Sequence, residues 1–147
     1  MNNASSLAQS NTPHGFEAAN FNCSFLDASG PYFIKRLNQQ KIIGIRIDKG
    51  HINHVQTAHG GVLATLADVA LSYQVHVSAT PPLPVVTISL TTNFISGARH
   101  GEWVEARARI EKMGRRVAHC SADIRTEERM LMTATGVFSI VGPQSNR

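Results

Sequence analysis

The longest apolar stretch of the chain predicts one long helix, from about Gly60 to Val77. Leucine, valine and alanine occupy nearly every side of this helix, so it has to be buried rather than laid on a surface. It is predicted to end before the segment SATPPLP, because three prolines prevent a helix from continuing. The pattern therefore places a single buried helix near the middle of the chain.

Apolar and polar residues alternate with a period of two on both sides of this helix, which is typical of half-buried strands. Before the helix, the segment IIGIRI predicts one strand; after it, four are predicted in VVTISLTTNF, EWVEARARIEK, RVAHCSADIR and MLMTATGVFSIV. In the first of these four, strict alternation places Thr87 and Leu90 on opposite faces. The inward positions of the next two are predicted to be Val104, Ala106, Ala108, Ile110, Ala118, Cys120, Ala122 and Ile124.

One helix and at least five strands predict an α+β fold. The connections GARHG, MGR and TEER are short, which favours antiparallel hairpins. A single antiparallel sheet of five to six strands would then curl around the helix. The Thr87, Ser89 and Thr91 face of the first strand after the helix is small and hydroxylic. Such a face suits another sheet or a ligand better than bulk water, so we expect the chain to self-associate.

Composition indicates one globular domain, since the 147 residues are 42% hydrophobic and 16% charged. We expect a flexible N-terminal tail over residues 1–15, a single domain over residues 16–147, and a short helix ending at Gly30-Pro31. Neither a secretory signal nor a membrane-spanning apolar run is visible. The two cysteines, Cys23 and Cys120, suit a reducing compartment. The expected location is therefore the cytoplasm.

The net charge of +4 does not indicate a nucleic-acid partner, because basic residues are scattered except in EKMGRR. A small anionic ligand fits this charge better. A metal site is not expected, because His51 and His54 lack carboxylate or cysteine partners at a ligand spacing. Ser89 and Ser96 lack the turn of an activated serine nucleophile.

The His59-Gly60-Gly61 sequence lies where the long helix begins. A helix N-terminus offers free backbone N–H groups and about half a positive charge, and glycine lets a ligand approach the backbone closely. The arrangement suits a phosphate or a carbonyl oxygen that develops negative charge. The alternative is that the glycines only make the turn into the helix.

A polar stripe runs along the same helix, formed by Thr65, Asp68, Ser72 and His76. Either this stripe faces solvent, or Asp68 is partly desolvated among its apolar neighbours and becomes a base with a raised pKa. His59 and Asp68 lie about 13 Å apart along the helix axis, so one chain cannot apply both to one bond. If both act, a two-fold dimer with antiparallel helices has to combine them.

The segment HINHVQTAHGGVLATLADVAL resembles the signature of hotdog-fold acyl-CoA thioesterases, in particular the phenylacetic-acid-degradation type. In that family an Asn lies six residues before His-Gly-Gly and an acid nine residues after the His, positions held here by Asn53, His59-Gly60-Gly61 and Asp68. The resemblance extends from about Pro31 to Val141. One position departs from it, because the family often has Gly where this chain has Gln56.

The resemblance implies a hotdog fold, an antiparallel sheet around one long central helix, in a homodimer that often pairs into a tetramer. It implies that the Gly60 N–H polarises a thioester carbonyl. Asp68 of the partner chain would be a general base on water or a nucleophile that forms an anhydride. Asn53 and His59 would orient the water or the thioester, and Thr87 matches a hydroxyl residue that often assists.

Further residues are assigned to substrate contact: Gly61, Ser72, Lys112, Arg115 and Arg116. The three basic residues could hold coenzyme A phosphates or could be solvated hairpin charges. Coenzyme A is part of the substrate, and no cofactor is expected. Two other functions stay open from the sequence, a hotdog hydratase or dehydratase acting on acyl thioesters and a non-catalytic acyl-CoA-binding module.

Overall fold

The computed structural model describes residues 11–142. Its helices are α1, Ser24–Ser29, and α2, Gly60–His76, with a 3₁₀ turn at Lys49–His51. Its strands are β1, Glu17–Ala18; β2, Tyr32–Leu37; β3, Gln40–Arg46; β4, Val85–Phe94; β5, Trp103–Met113; β6, Val117–Arg125; and β7, Met130–Ile140. Most of the expected tail, residues 1–10, lies outside the described residues. The segment after it lies on the sheet, where Arg46 donates to the Asn11 carbonyl.

The strands form one antiparallel sheet in the order β1-β2-β3-β5-β6-β7-β4. The α+β class and the antiparallel sheet around one helix are confirmed, but the sheet has seven strands rather than five to six. Alternation could not reveal β1, which has only two residues. It also missed β2, because Tyr32, Phe33 and Ile34 are consecutive apolar residues and all three are buried.

Helix α2 packs across the concave side of the sheet and forms the centre of the core. Its predicted bounds are confirmed to within one residue, since it begins at Gly60 and ends at His76. Leu63, Leu66, Leu71 and Val75 are at most 2% exposed. The predicted inward positions of β5 and β6 meet this helix, and apart from the half-buried Ile110 all of them are buried. No helix within residues 11–142 is long and apolar enough to cross a membrane.

The connection between β4 and β5 is not a hairpin, so the expectation of hairpins throughout was wrong at this point. Residues 95–102 start beside β7, where the Ile95 N–H donates to the Leu131 carbonyl at 2.8 Å. They end beside β3, where the Ile47 N–H donates to the Glu102 carbonyl at 2.9 Å. The segment crosses the open end of the sheet under the start of α2, and it leaves β4 on the outer edge. Sequence length alone does not distinguish such a crossover from a hairpin.

Strand β4 contains a β-bulge that inserts Ile88. Thr87 pairs with Phe138 and Leu90 pairs with Gly136, and these two positions of β7 lie on the same face, towards α2. The prediction that Thr87 and Leu90 lie on opposite faces was therefore wrong, because one extra residue shifts the alternation. The bulge turns the Thr87 side chain towards the helix.

Candidate active site

His59 caps the first turn of α2 and uses one of its free N–H groups. Its Nδ1 accepts a hydrogen bond from the Gly61 N–H at 2.9 Å, and its carbonyl accepts from the Val62 N–H at 2.9 Å. The N–H of Gly60 has no acceptor among residues 11–142. The cap thus leaves Gly60 as the free donor at a positive helix terminus. It also removes Gly61 from the N–H groups available to a substrate.

The loop before this cap is held by Asn53. The Asn53 Oδ1 accepts from the N–H groups of Val55 at 3.0 Å and Thr57 at 3.1 Å, and Asn53 Nδ2 donates to Thr57 Oγ1 at 3.2 Å. Gln56 has φ +65°, in the left-handed region that favours glycine. The loop therefore keeps the conformation expected of a glycine at this position, although the residue is Gln. The side chain of Asn53, which was expected to orient the water or the thioester, thus shapes the loop.

Asp68 lies in the middle of α2 and is partly exposed. Its Oδ1 accepts a hydrogen bond from Thr87 Oγ1 at 2.7 Å. The bond leaves Oδ2 of the carboxylate available and fixes its orientation. In one chain, Gly60 and Asp68 are about 12 Å apart along the unbroken helix. The structure thus brings Thr87 to Asp68 and keeps Gly60 away from both.

A groove of about 550 Å³ opens beside Asp68. The whole polar stripe lines it, so Thr65, Ser72 and His76 share its wall with Asp68. The other wall was not anticipated and comes from the segment that contains α1: Asn20, Phe21, Asn22, Cys23, Phe25 and Leu26. A larger groove, of about 890 Å³, lies on the convex face of the sheet and contains none of the predicted site residues.

His51 holds the wall formed by α1, a role that the sequence did not reveal. The ring is buried, its Nδ1 accepts from the Asp48 N–H at 3.0 Å, and its Nε2 lies 2.8 Å from the Ser29 carbonyl at the end of α1. Both ring nitrogens are therefore used in structural hydrogen bonds. A signal existed in the chain, since His51 lies three residues after Asp48, at the N3 position of a capping box that starts at Asp48.

The crossover under α2 is clamped by an ion pair. Arg129 donates two hydrogen bonds to the Glu102 carboxylate, at 2.8 and 2.7 Å, and a third to the Gly97 carbonyl at 2.6 Å. The hydrogen bonds from Arg129 lower the pKa of Glu102 to about 2. Because the Ala58 N–H donates to the Ala98 carbonyl at 2.8 Å, the clamped crossover also supports the residue before His59.

Lys112, Arg115 and Arg116 are exposed at the tip of the β5–β6 hairpin. None of the three forms a salt bridge to another residue in the described range. The hairpin lies at the same end of the sheet as Thr87, because Thr87 pairs with Phe138 and Phe138 pairs with Ala118. Two strand spacings separate Thr87 from Ala118, about 10 Å. The basic tip thus lies close to the groove but does not line it.

The sequence profile of the thioesterase superfamily matches residues 55–133, the segment that carries both Gly60 and Asp68. The chain belongs to the thioesterase superfamily. A Pseudomonas aeruginosa protein assigned as an esterase is 42% identical over 131 residues, which cover 88% of this chain and 98% of that protein. Acyl-coenzyme A thioesterase 13 of Mus musculus is 28% identical over 98 residues, covering 67% of this chain and 69% of the mouse protein.

Among solved structures, a variant of the phenylacetic acid degradation protein PaaI from Thermus thermophilus is similar with a TM-score of 0.72 and 25% identity, covering 81% of this chain and 100% of that one. The expected hotdog fold is confirmed by this likeness together with the single long helix in an antiparallel sheet. As a member of the thioesterase superfamily, the protein is a thioester hydrolase. The hydratase and the non-catalytic binding module are set aside.

Cys120 has no part in the thioesterase site. It is 2% exposed, and burial, followed by the nearby charge of Glu111, raises the pKa of its thiol to about 11. A thiol of that pKa is not ionised near neutral pH and is a poor nucleophile. The predicted inward position of Cys120 is confirmed.

Proposed function

We propose that this thioesterase hydrolyses acyl-CoA thioesters at composite sites, each built from the Gly60 end of one chain and the Asp68 end of another. The observation that carries the proposal is the position of both halves along β4. A Cβ on Gly60 would lie 3.3 Å from the Phe94 ring at one end of the strand, and Asp68 accepts from Thr87 at the other end. The two halves therefore mark opposite ends of one edge strand.

The outer edge of β4 is available for a second copy. Among the described strands, β4 pairs only with β7. The apolar side chains of Val86 and Ile88 on this strand are 55% and 59% exposed, and a strand edge with exposed apolar side chains is usually covered by a partner. Antiparallel pairing of β4 with its copy about a two-fold axis between Leu90 and Thr91 places Thr87 opposite Phe94 of the second copy. Each Asp68 then faces the Gly60 N–H of the other chain, so the dimer contains two equivalent sites.

The proposed chemistry follows from the free groups on each side. The Gly60 N–H donates to the thioester carbonyl oxygen and stabilises the oxyanion of the tetrahedral intermediate. Asp68 Oδ2 either takes a proton from the attacking water or attacks the carbonyl carbon itself, giving an anhydride that water then opens. In both routes the C–S bond breaks, the free acid forms, and coenzyme A leaves as the thiol. No cofactor or metal takes part.

The hairpin tip completes the proposed substrate contacts. Lys112, Arg115 and Arg116 lie near the groove with no salt-bridge partner among residues 11–142, so their charges are available to the phosphates of coenzyme A. His59 and Asn53 act in this proposal by shaping the loop that presents Gly60. Ser72 lies in the groove that receives the acyl group.

The decisive experiment removes each half separately and then mixes them. Gly60→Pro removes the N–H without disturbing the helix, because proline is tolerated at the first position of a helix and His59, with φ −57° and ψ 138°, already has a conformation compatible with a following proline. Gly60→Ala keeps the N–H and meets the same Phe94 ring, so it is the matched control. Asp68→Asn removes the charge at constant shape.

We expect Gly60→Pro and Asp68→Asn each to release little thiol from acyl-CoA substrates. After denaturation and joint refolding, half of the dimers should be mixed, and each mixed dimer contains one intact site of two. The mixture should therefore regain about a quarter of wild-type activity. A mixture as inactive as its parents, although mixed dimers have formed, would refute the composite site. Full activity of Asp68→Asn alone would refute the role of Asp68.

A further inference from the structure

Three polar side chains on the helix wall of the groove use their hydrogen-bond donors within the protein. Thr65 Oγ1 donates to the Gly61 carbonyl at 2.7 Å, and Ser72 Oγ donates to the Val69 carbonyl at 3.2 Å. His76 Nδ1 lies 2.6 Å from the Leu83 carbonyl, and because a carbonyl can only accept, Nδ1 carries the proton. In the neutral ring Nε2 is then an acceptor. These three side chains therefore offer lone pairs to the groove rather than protons, whereas the hydroxyl of Tyr73, which also lines the groove, can donate.

These acceptors are arranged in order of distance from the carboxylate. Asp68, Ser72 and His76 follow one another at intervals of four residues on α2, so Ser72 and His76 lie about 6 and 12 Å from Asp68 along the axis. His76 is the most firmly placed of them. Besides its ring contact, its own carbonyl accepts from the Leu83 N–H at 2.9 Å, and its ring packs 6.0 Å from the Tyr73 ring. A rigid acceptor thus lies at the far end of the groove.

The facing wall is mainly apolar. Phe21 packs edge-on against Tyr73 at 5.5 Å, and Phe25 and Leu26 extend the same surface, while the amides of Asn20 and Asn22 are its polar groups. Asn20 Oδ1 already accepts from the Asn22 N–H at 2.9 Å. An acyl group in this groove therefore meets hydrocarbon on one side and a row of acceptors on the other. Among the described residues, no lysine or arginine lines it.

We propose that His76 is a specificity-determining residue that selects acyl groups carrying a hydrogen-bond donor, such as a hydroxyl, at the end remote from the thioester. The inference rests on the proposed function of the groove beside Asp68. The hydroxyl proton is donated to His76 Nε2, or to Ser72 Oγ for a shorter acyl group. A terminal carboxylate is disfavoured by the charge of Asp68, which no lysine or arginine among the described lining residues offsets.

The test compares straight-chain acyl-CoAs of increasing length, each with a terminal methyl, hydroxyl or carboxylate, in wild type and His76→Asn. The asparagine amide can still donate an N–H to the Leu83 carbonyl, as Nδ1 of His76 does, but it has no acceptor at the position of Nε2. His100→Asn, on the exposed crossover, is the matched control. At the length that reaches His76, kcat/KM of wild type and of His100→Asn should favour the hydroxyl over the methyl by about two- to tenfold. His76→Asn should lose this preference.

Dissociation constants of non-hydrolysable thioether analogues are measured in parallel, so that selectivity is read without turnover. Binding that prefers the hydroxyl in wild type but not in His76→Asn, with no thiol released, would keep this inference and overturn the proposed function. The inference is overturned if wild type shows no preference for the hydroxyl in either assay, if His76→Asn retains the preference, or if the carboxylate compounds are the preferred ones.

Discussion

Thr87 donates a hydrogen bond to Asp68 at 2.7 Å only because β4 carries one residue more than its partner β7. Without the bulge at Ile88, the alternation of the strand would turn Thr87 to the convex face of the sheet. The bulge lies at the end of β4 that approaches the middle of α2, so it changes which side chain reaches the carboxylate. A local irregularity of an edge strand thus sets the environment of Asp68.

Thr87→Val should lower kcat for acyl-CoA hydrolysis by about tenfold and change KM little, because the lost hydrogen bond to a charged group is worth roughly 1.5 kcal/mol. Valine keeps the shape of threonine, so thermal stability should stay close to wild type. Thr135→Val, an exposed position on the convex face of β7, is the control and should retain full activity. Equal kcat for Thr87→Val and wild type would show that the bond does not serve catalysis.

The double variant Arg115→Ala with Arg116→Ala should raise KM for acyl-CoA by about tenfold and leave kcat unchanged, because it removes charges that would contact phosphate. The difference should shrink at high salt. A control that removes the same charge, Arg36→Ala with Lys41→Ala on the β2–β3 hairpin, should have little effect. Acyl-pantetheine thioesters lack the nucleotide phosphates, so an equal rise of their KM would contradict the assignment.

Gln56→Gly should stabilise the protein by about 0.5 to 1 kcal/mol. Gln56 has φ +65°, which costs a residue with a Cβ roughly 1 to 2 kcal/mol, and the greater freedom of glycine in the unfolded chain offsets part of the gain. Denaturant unfolding measures the change. Gln39→Gly in the β2–β3 turn is the control, because Gln39 does not have a positive φ and the same substitution should destabilise there. Equal effects at the two positions would contradict the explanation.

Glu102→Gln should destabilise the protein at neutral pH by about 1 to 2 kcal/mol, a value reduced for solvent screening since the Glu102 side chain is 27% exposed. Hydrogen bonds from Arg129 lower the pKa of Glu102 from 4.5 to about 2 in the folded protein. The stabilisation is therefore complete above pH 4.5 and is lost as the pH falls towards 2. Unfolding measured across this range should show wild type and variant converging in acid. Glu127→Gln, an exposed carboxylate on the neighbouring turn, should show no such convergence.

The predictable parts of the fold are those in which the pattern of apolar and polar residues continues along the whole element. Helix α2 was placed to within one residue because it is apolar all round and prolines follow it. Strands β5 and β6 were placed because one face of each is buried over most of its length. By contrast, β1 is too short to show a period, and β2 is apolar on both faces at its start.

The parts of the site that escaped prediction depend on contacts between distant segments. The bulge at Ile88 adds no recognisable residue type, since isoleucine is an ordinary strand residue. The wall from Asn20 to Leu26 joins the groove through contacts between distant segments, among them the packing of Phe21 on Tyr73 and the bond from His51 to Ser29. The separation of Gly60 from Asp68, however, followed from the rise of a helix alone. That the two meet between chains stays a prediction.

The exposed edge of β4 has a further consequence for the chain before it finds a partner. A strand edge without a partner, next to the exposed Val86 and Ile88, is a template for uncontrolled pairing, and a newly made monomer would be prone to aggregate. In the proposed dimer, the contact that hides this edge is also the contact that assembles the catalytic groups. Solubility and activity would then be acquired in the same step, and selection for either would maintain the other.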